Sequence, residues 1–119
     1  MIFTCDNGTS PKANFAQLDA AGVHLNEHWR GWKADAYEGG HRVPFIARWP
    51  GRIEPGSSSD QLVSNIDLPA TLAALTKQEI RKGQAPDSVN VLPAFTGDPA
   101  EPIRDHLVLA ARKPSHLAI

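Results

Sequence analysis

From Gly8 to Tyr37 the sequence offers little regular secondary structure, and this stretch lies between two strand candidates. A connection that long inside a small chain is normally functional or disordered. Any fold this chain adopts has to accommodate it.

The flanking segments read clearly. Met1–Cys5 is mostly apolar and rich in β-formers, a strand of the buried type, and the turn residues Asp6-Asn7-Gly8 close it. Val43–Trp49 reads as a second strand, with Pro44 confined to its start or to a sheet edge and Pro50-Gly51 ending it. Within the long stretch, Asn14 to Ala21 fits a short helix with Phe15, Leu18 and Ala21 on one face. Gly22 ends it, and Val23-His24-Leu25 reads as extended. Glu38-Gly39-Gly40 reads as a tight turn. Asp67 to Leu75 is the clearest helix, with Asp67 as N-cap, Pro69 in the first turn, and Leu68, Leu72 and Leu75 at helical spacing. Lys77–Ser88 reads as a polar surface loop. A short helix over Asn90–Phe95 ends at Gly97, and His106–Ala111 pairs as a hairpin with His116–Ile119. The mixture predicts an α/β fold.

Composition sets the outer bounds. One small domain is the natural reading of 119 residues. The net charge of -1 argues against a basic nucleic-acid binder, although five Lys/Arg fall between Arg30 and Arg52. No apolar run is long enough for a membrane-spanning helix. The N-terminus lacks the basic and apolar regions of a signal peptide. The single cysteine, Cys5, excludes an intrachain disulfide framework and a Cys-rich zinc site, and reads as a buried, inert thiol.

Few residues stand out chemically. Asp6 and Asn7 follow a strand end, where ligands gather in open α/β sheets, and their oxygens are hard donors suited to Ca²⁺ or Mg²⁺. Taken alone, Asp-Asn-Gly is also an ordinary turn. Lys33, between Trp32 and Tyr37, could clamp an anion as a point charge, or be a solvated surface lysine. His41-Arg42 reads structurally, with Arg42 pairing Glu38. His24 and His28 could reach a substrate from the long loop, but nothing selects either. The Walker loop, the G-x-G-x-x-G fingerprint and the G-x-S-x-G elbow are absent.

Together these segments resemble the sulfatase family, in particular its bacterial arylsulfatase A-type members within the alkaline-phosphatase superfamily. Ile2-Phe3-Thr4-Cys5-Asp6-Asn7-Gly8 is similar to the family's strand and metal-ligand turn. Arg30-Gly31-Trp32-Lys33-Ala34-Asp35-Ala36-Tyr37-Glu38-Gly39-Gly40-His41-Arg42-Val43-Pro44-Phe45-Ile46-Ala47-Arg48-Trp49-Pro50-Gly51 is similar to its second signature block, and Asp67–Ala73 to the helix that follows. Cys5 stands where Ser is usual, and Trp32 where many members have Gly.

The resemblance implies that Asp6 and Asn7 ligate an active-site Ca²⁺ or Mg²⁺ and that Lys33 contacts the sulfate ester as a catalytic and substrate-binding cation. It implies part of an alkaline-phosphatase-like sulfatase fold, incomplete at both ends. Residues 1–87 would be the C-terminal part of the catalytic domain and 88–119 the start of the C-terminal subdomain. The family's formylglycine nucleophile arises within a Cys/Ser-x-Pro/Ala-x-Arg motif, which this sequence lacks. It is expected in an N-terminal part outside this chain, so the chain alone should be inactive. The expected partners are a sulfate-ester substrate and the rest of the sulfatase chain, without nucleic acid or a membrane span. The resemblance also implies a periplasmic or secreted location. Alternatives are a phosphoester or phosphonate hydrolase of the same superfamily, and a catalytically dead small binding domain.

Overall fold

The computed structural model describes residues 1–26, 28–97, 99–113 and 115–119. Ile2–Thr4 forms β1 and Phe45–Ala47 forms β2, and the two pair as a two-stranded sheet. Just beyond them Met1 and Arg48 exchange both backbone hydrogen bonds, at 2.9 and 2.8 Å, the mark of an antiparallel pair. Both strands are shorter than their sequence spans. Asp6-Asn7-Gly8 turns the chain away from β1, and Pro44, which has no N–H to offer a ladder, precedes β2. The expected burial is not found. Phe3 is 56% exposed and Ile46 58%, as a ribbon of only two strands leaves its faces open. Cys5 is likewise exposed, not buried, because it follows the end of this ribbon.

The chain divides into two compact units, Phe3–Ile46 with Val108–Ile119, and Met1–Ile2 with Ala47–Leu107. In the first, α1 spans Phe15–Ala20. The Asn14 side chain caps it, accepting from the Gln17 N–H and donating to Gln17 Oε1. Gly22 ends it at φ 78°, with the Gly22 N–H bonded to the Asp19 carbonyl and the Val23 N–H to that of Leu18. That is a Schellman closure, and it takes Val23 out of the extended run expected there. Glu38–His41 forms α2, a single helical turn where the sequence suggests a tight turn. The Arg42 N–H closes it on the Glu38 carbonyl at 2.7 Å. The C-terminal hairpin is as expected: β3, Leu109–Ala110, pairs antiparallel with β4, Leu117–Ala118, in the register Leu109 to Ala118.

In the second unit a 3₁₀ turn, Asn65–Asp67, runs into α3, Leu68–Thr76, with Pro69 in its first turn. Lys77 at φ 55° ends α3. A shorter helix, α4, spans Leu92–Thr96 and stops at Gly97. Asp67 is not the side-chain cap of α3 that the sequence suggests. It is the third residue of a capping box begun by Ser64, whose N–H it accepts at 2.9 Å. Its fully buried carboxylate also accepts the Val89 N–H at 3.0 Å and is ion-paired with Arg104. One turn on, the Thr71 hydroxyl donates to the Asp67 carbonyl and accepts the Val91 N–H. The inward face of α3 is therefore set by Asp67 and Thr71, four residues apart. Leu72 and Leu75 turn outward, 49% and 42% exposed. Among the described residues, no helix is long and apolar enough to cross a membrane.

Replacing Asp67 removes the partner of a nearly buried Arg104 and orphans two backbone donors. Asp67→Ala is expected to cost about 3–5 kcal/mol in urea unfolding, whereas Leu72→Ala should cost less than about 1 kcal/mol. Equal effects would show that the apolar stripe, not the polar core, carries the unit.

Candidate functional site

The candidate residues Asp6, Asn7 and Lys33 all belong to the Phe3–Ile46 unit. Two backbone hydrogen bonds bring their segments together. The Gly8 N–H donates to the Gly40 carbonyl at 2.9 Å, and the Lys33 N–H donates to the Thr9 carbonyl at 2.9 Å. The turn after β1 is thus stitched to both ends of the block that runs from Lys33 to Gly40.

That approach needs the absence of side chains. A Cβ on Gly8 would overlap the Gly39 carbonyl oxygen, one on Gly39 the Gly31 carbonyl, and one on Gly40 the Asp35 carbonyl. Gly8, Gly39 and Gly40 are all buried. The double glycine therefore serves close backbone approach and not a sharp reversal.

Further contacts hold the loop that carries Lys33. The Trp32 N–H donates to Asp35 Oδ2 and the Asp35 N–H returns to the Trp32 carbonyl, closing a small turn around Lys33 and Ala34. Ala34 sits at φ 83°, a left-handed conformation that costs a non-glycine residue energy. Its carbonyl accepts the Arg112 N–H, next to the β3–β4 hairpin. The Arg30 guanidinium lies 3.8 Å from the Tyr37 ring centre, and that of Arg42 lies 4.2 Å from that of Trp29. Arg42 also pairs with Glu38 at 2.7 Å, the structural role read from sequence. The pair is more than half exposed, so it adds little stability on its own. His41 is half-buried, and its Nε2 has no hydrogen-bond partner among the described residues.

The candidate side chains are left open. Asp6 is exposed and makes no hydrogen bond or ion pair among the described residues. Asn7 is half-buried, and its amide nitrogen donates to the Gly8 carbonyl at 2.9 Å, a bond that does not use Oδ1. Lys33 is exposed and forms no ion pair among the described residues. A carboxylate and an amide oxygen in one turn fit a hard dication such as Ca²⁺ or Mg²⁺. Among the described residues no three His, Cys, Asp or Glu side chains converge on one point. Sequence reading missed the two backbone bridges. Their trace in the sequence is the pairing of Asn-Gly with Gly-Gly, which local pattern cannot connect.

Comparison with known proteins gives a consistent picture. The family model named Sulfatase matches residues 1–78. An N-acetylgalactosamine-6-O-sulfatase of Bacteroides thetaiotaomicron is 43% identical over 102 residues, covering 82% of this chain and 19% of that protein. Human arylsulfatase G is 34% identical over 101 residues, covering 80% and 19%. Human steryl-sulfatase is 34% identical over 100 residues, covering 82% and 16%. A solved sulfatase structure, from work on glycosaminoglycan metabolism by B. thetaiotaomicron, superposes with a TM-score of 0.68 at 38% identity, covering 81% of this chain and 20% of that one. The chain spans about a fifth of the length of these relatives.

Gly8→Ala tests the stitching directly. Overpacking of this kind costs about 1–3 kcal/mol, so hydrogen exchange at the Gly8-position and Lys33 amides should accelerate by about fivefold or more. Unchanged protection at Lys33 would show that the two segments are held independently.

Proposed function

The chain belongs to the sulfatase family, and from that premise we propose that Asp6, Asn7 and Lys33 form part of the active site of a sulfate-ester hydrolase. One observation carries the reading. The Gly8–Gly40 and Thr9–Lys33 hydrogen bonds join a turn of open oxygen donors to a loop bearing an open lysine. Cleaving a sulfate ester moves negative charge onto the leaving oxygen and the sulfuryl oxygens, and both features answer that need.

Asp6 and Asn7 would hold the divalent cation through Oδ atoms, with Ca²⁺ the first choice and Mg²⁺ the second. When bound, such an ion supplies Lewis-acid stabilisation of developing negative charge. Lys33 contributes a compact positive charge with rotatable donors, suited to a sulfate oxygen or to the departing alcohol oxygen. The hydrogen-bonded turn at Trp32–Asp35 sets the backbone from which that side chain extends. A formylglycine nucleophile belongs to the proposal as a residue of the full enzyme outside this chain. Residues 1–87 belong to the catalytic domain and 88–119 lead into a smaller C-terminal subdomain in this reading. Export to the periplasm or beyond the cell is part of the same proposal, by family resemblance alone.

In the full-length enzyme, Lys33→Ala should lower kcat/KM for a sulfate ester by about 10²–10³, the usual loss when one stabilising donor is removed. Asp6→Ala should do at least as much and weaken the response to added Ca²⁺ after chelation. Variants within threefold of wild type would contradict the assignment. The purified 119-residue chain should show no turnover of an aryl sulfate, and measurable turnover free of contaminating enzyme would refute the need for residues outside it.

A further inference from the structure

The turn after β1 carries a chemically labile linkage that the proposed hydrolysis does not use. Asn7-Gly8 is the one Asn-Gly pair in the sequence. In such a pair the backbone nitrogen of the glycine can attack the asparagine side-chain carbonyl, because no Cβ on the following residue hinders its approach. We propose that Asn7 is a latent deamidation site and that the Gly8–Gly40 hydrogen bond keeps it closed. Neither a bound cation nor turnover is needed, so the site is independent of the hydrolase reading.

The reaction needs only the chain itself and water. The Gly8 nitrogen gives up its proton to solvent base and forms a bond to Asn7 Cγ. The Cγ–Nδ2 bond breaks, Nδ2 takes up a proton and leaves as ammonia, and a cyclic succinimide remains. Water then opens the ring at either carbonyl. One opening leaves an aspartate in place of Asn7, a second carboxylate beside Asp6. The other leaves an isoaspartate, which routes the backbone through Cγ and lengthens it by a methylene group.

The attacking nitrogen is itself the donor of the stitch. The Gly8 N–H bonds the Gly40 carbonyl at 2.9 Å, and Gly8 is buried. While that bond holds, the proton that must leave is held by a carbonyl and shielded from solvent base, so attack waits for local opening. The leaving group is tied as well, with Asn7 Nδ2 donating to the Gly8 carbonyl at 2.9 Å. A bulkier neighbour cannot replace this protection, because a Cβ on Gly8 would overlap the Gly39 carbonyl oxygen. The close approach that demands glycine thus makes Asn7 labile, and the hydrogen bond made in that approach covers it. Opening followed by reaction is one-way. An isoaspartyl backbone changes the spacing between β1 and the Gly8 N–H, so the stitch does not re-form in register.

The test follows the peptide containing Asn7 by mass spectrometry while the full-length protein is incubated at mildly alkaline pH, with hydrogen exchange at the Gly8 amide measured in parallel. Folded wild type should convert about tenfold or more slowly than the same protein unfolded in urea. Across a urea series up to unfolding, conversion and Gly8 amide exchange should rise in parallel, since both need the same N–H released. Gly40→Ala, whose Cβ would overlap the Asp35 carbonyl oxygen, should speed both by about fivefold or more while the protein stays folded. If that variant does not fold, the urea series on wild type decides. Conversion in folded wild type within about twofold of the unfolded rate overturns the proposal. So does conversion that stays flat while Gly8 exchange rises, a folded Gly40→Ala protein that converts at the wild-type rate, or an unfolded chain that does not convert at Asn7.

Discussion

The approach of the Gly8 backbone to Gly39 and Gly40 is the constraint on which the candidate site depends. Closing loops this long has an entropic cost that rises slowly with length, so a few well-placed contacts can hold them. Here the contacts are two backbone hydrogen bonds, and the approach of Gly8 to Gly39 leaves no room for a Cβ on Gly8. Everything else in the loop reinforces that approach: the Trp32–Asp35 turn, the stacking of Arg30 on Tyr37 and of Arg42 on Trp29, and the tie from Ala34 to Arg112. None of these contacts consumes Asp6, the oxygen of Asn7 or the ammonium group of Lys33. The scaffold is made of backbone and of arginine–aromatic pairs, which leaves the Asp6 carboxylate and the Lys33 amine exposed.

The second unit is organised on a different principle. Its most deeply buried groups include a carboxylate and a hydroxyl, Asp67 and Thr71, with Val91 and Ala94 beside them. A buried carboxylate is tolerable because Ser64, Val89 and Arg104 all donate to it. Such a network fixes the chain direction before and after α3 with geometric specificity that an apolar cluster would not provide. The cost is strong dependence on a few residues.

Much of the local structure was legible in the sequence. Asn14 and Gly22 marked the ends of α1, Pro69 the first turn of α3, and Gly97 the end of α4, because capping and glycine conformations are local effects. The closing hairpin was legible too. Asp67 was misread because its partners Val89 and Arg104 lie 22 and 37 residues away. Leu72 and Leu75 were legible as a stripe, but the polar network decides which face of α3 turns inward. Glu38-Gly39-Gly40 looked like a turn because glycine usually signals backbone freedom, whereas here it signals crowding. Asp6, Asn7 and Lys33 stood out as candidates by their chemistry, and the family resemblance supplied their expected roles. The bonds that unite them run between backbone groups, and their trace, Asn-Gly with Gly-Gly, joins positions too far apart for local pattern to connect.

The central claim is that the Asp6–Asn7 turn and the Lys33 loop act as one cation and anion site. Its most direct test is a Ca²⁺ titration of the ¹⁵N-labelled protein followed by amide chemical shifts. The account predicts that Asp6, Asn7 and Gly8 shift together with Lys33 and Gly40 along one saturating curve, because hydrogen bonds couple the segments. Shifts confined to other carboxylates, or a turn that responds while Lys33 and Gly40 stay still, would contradict it.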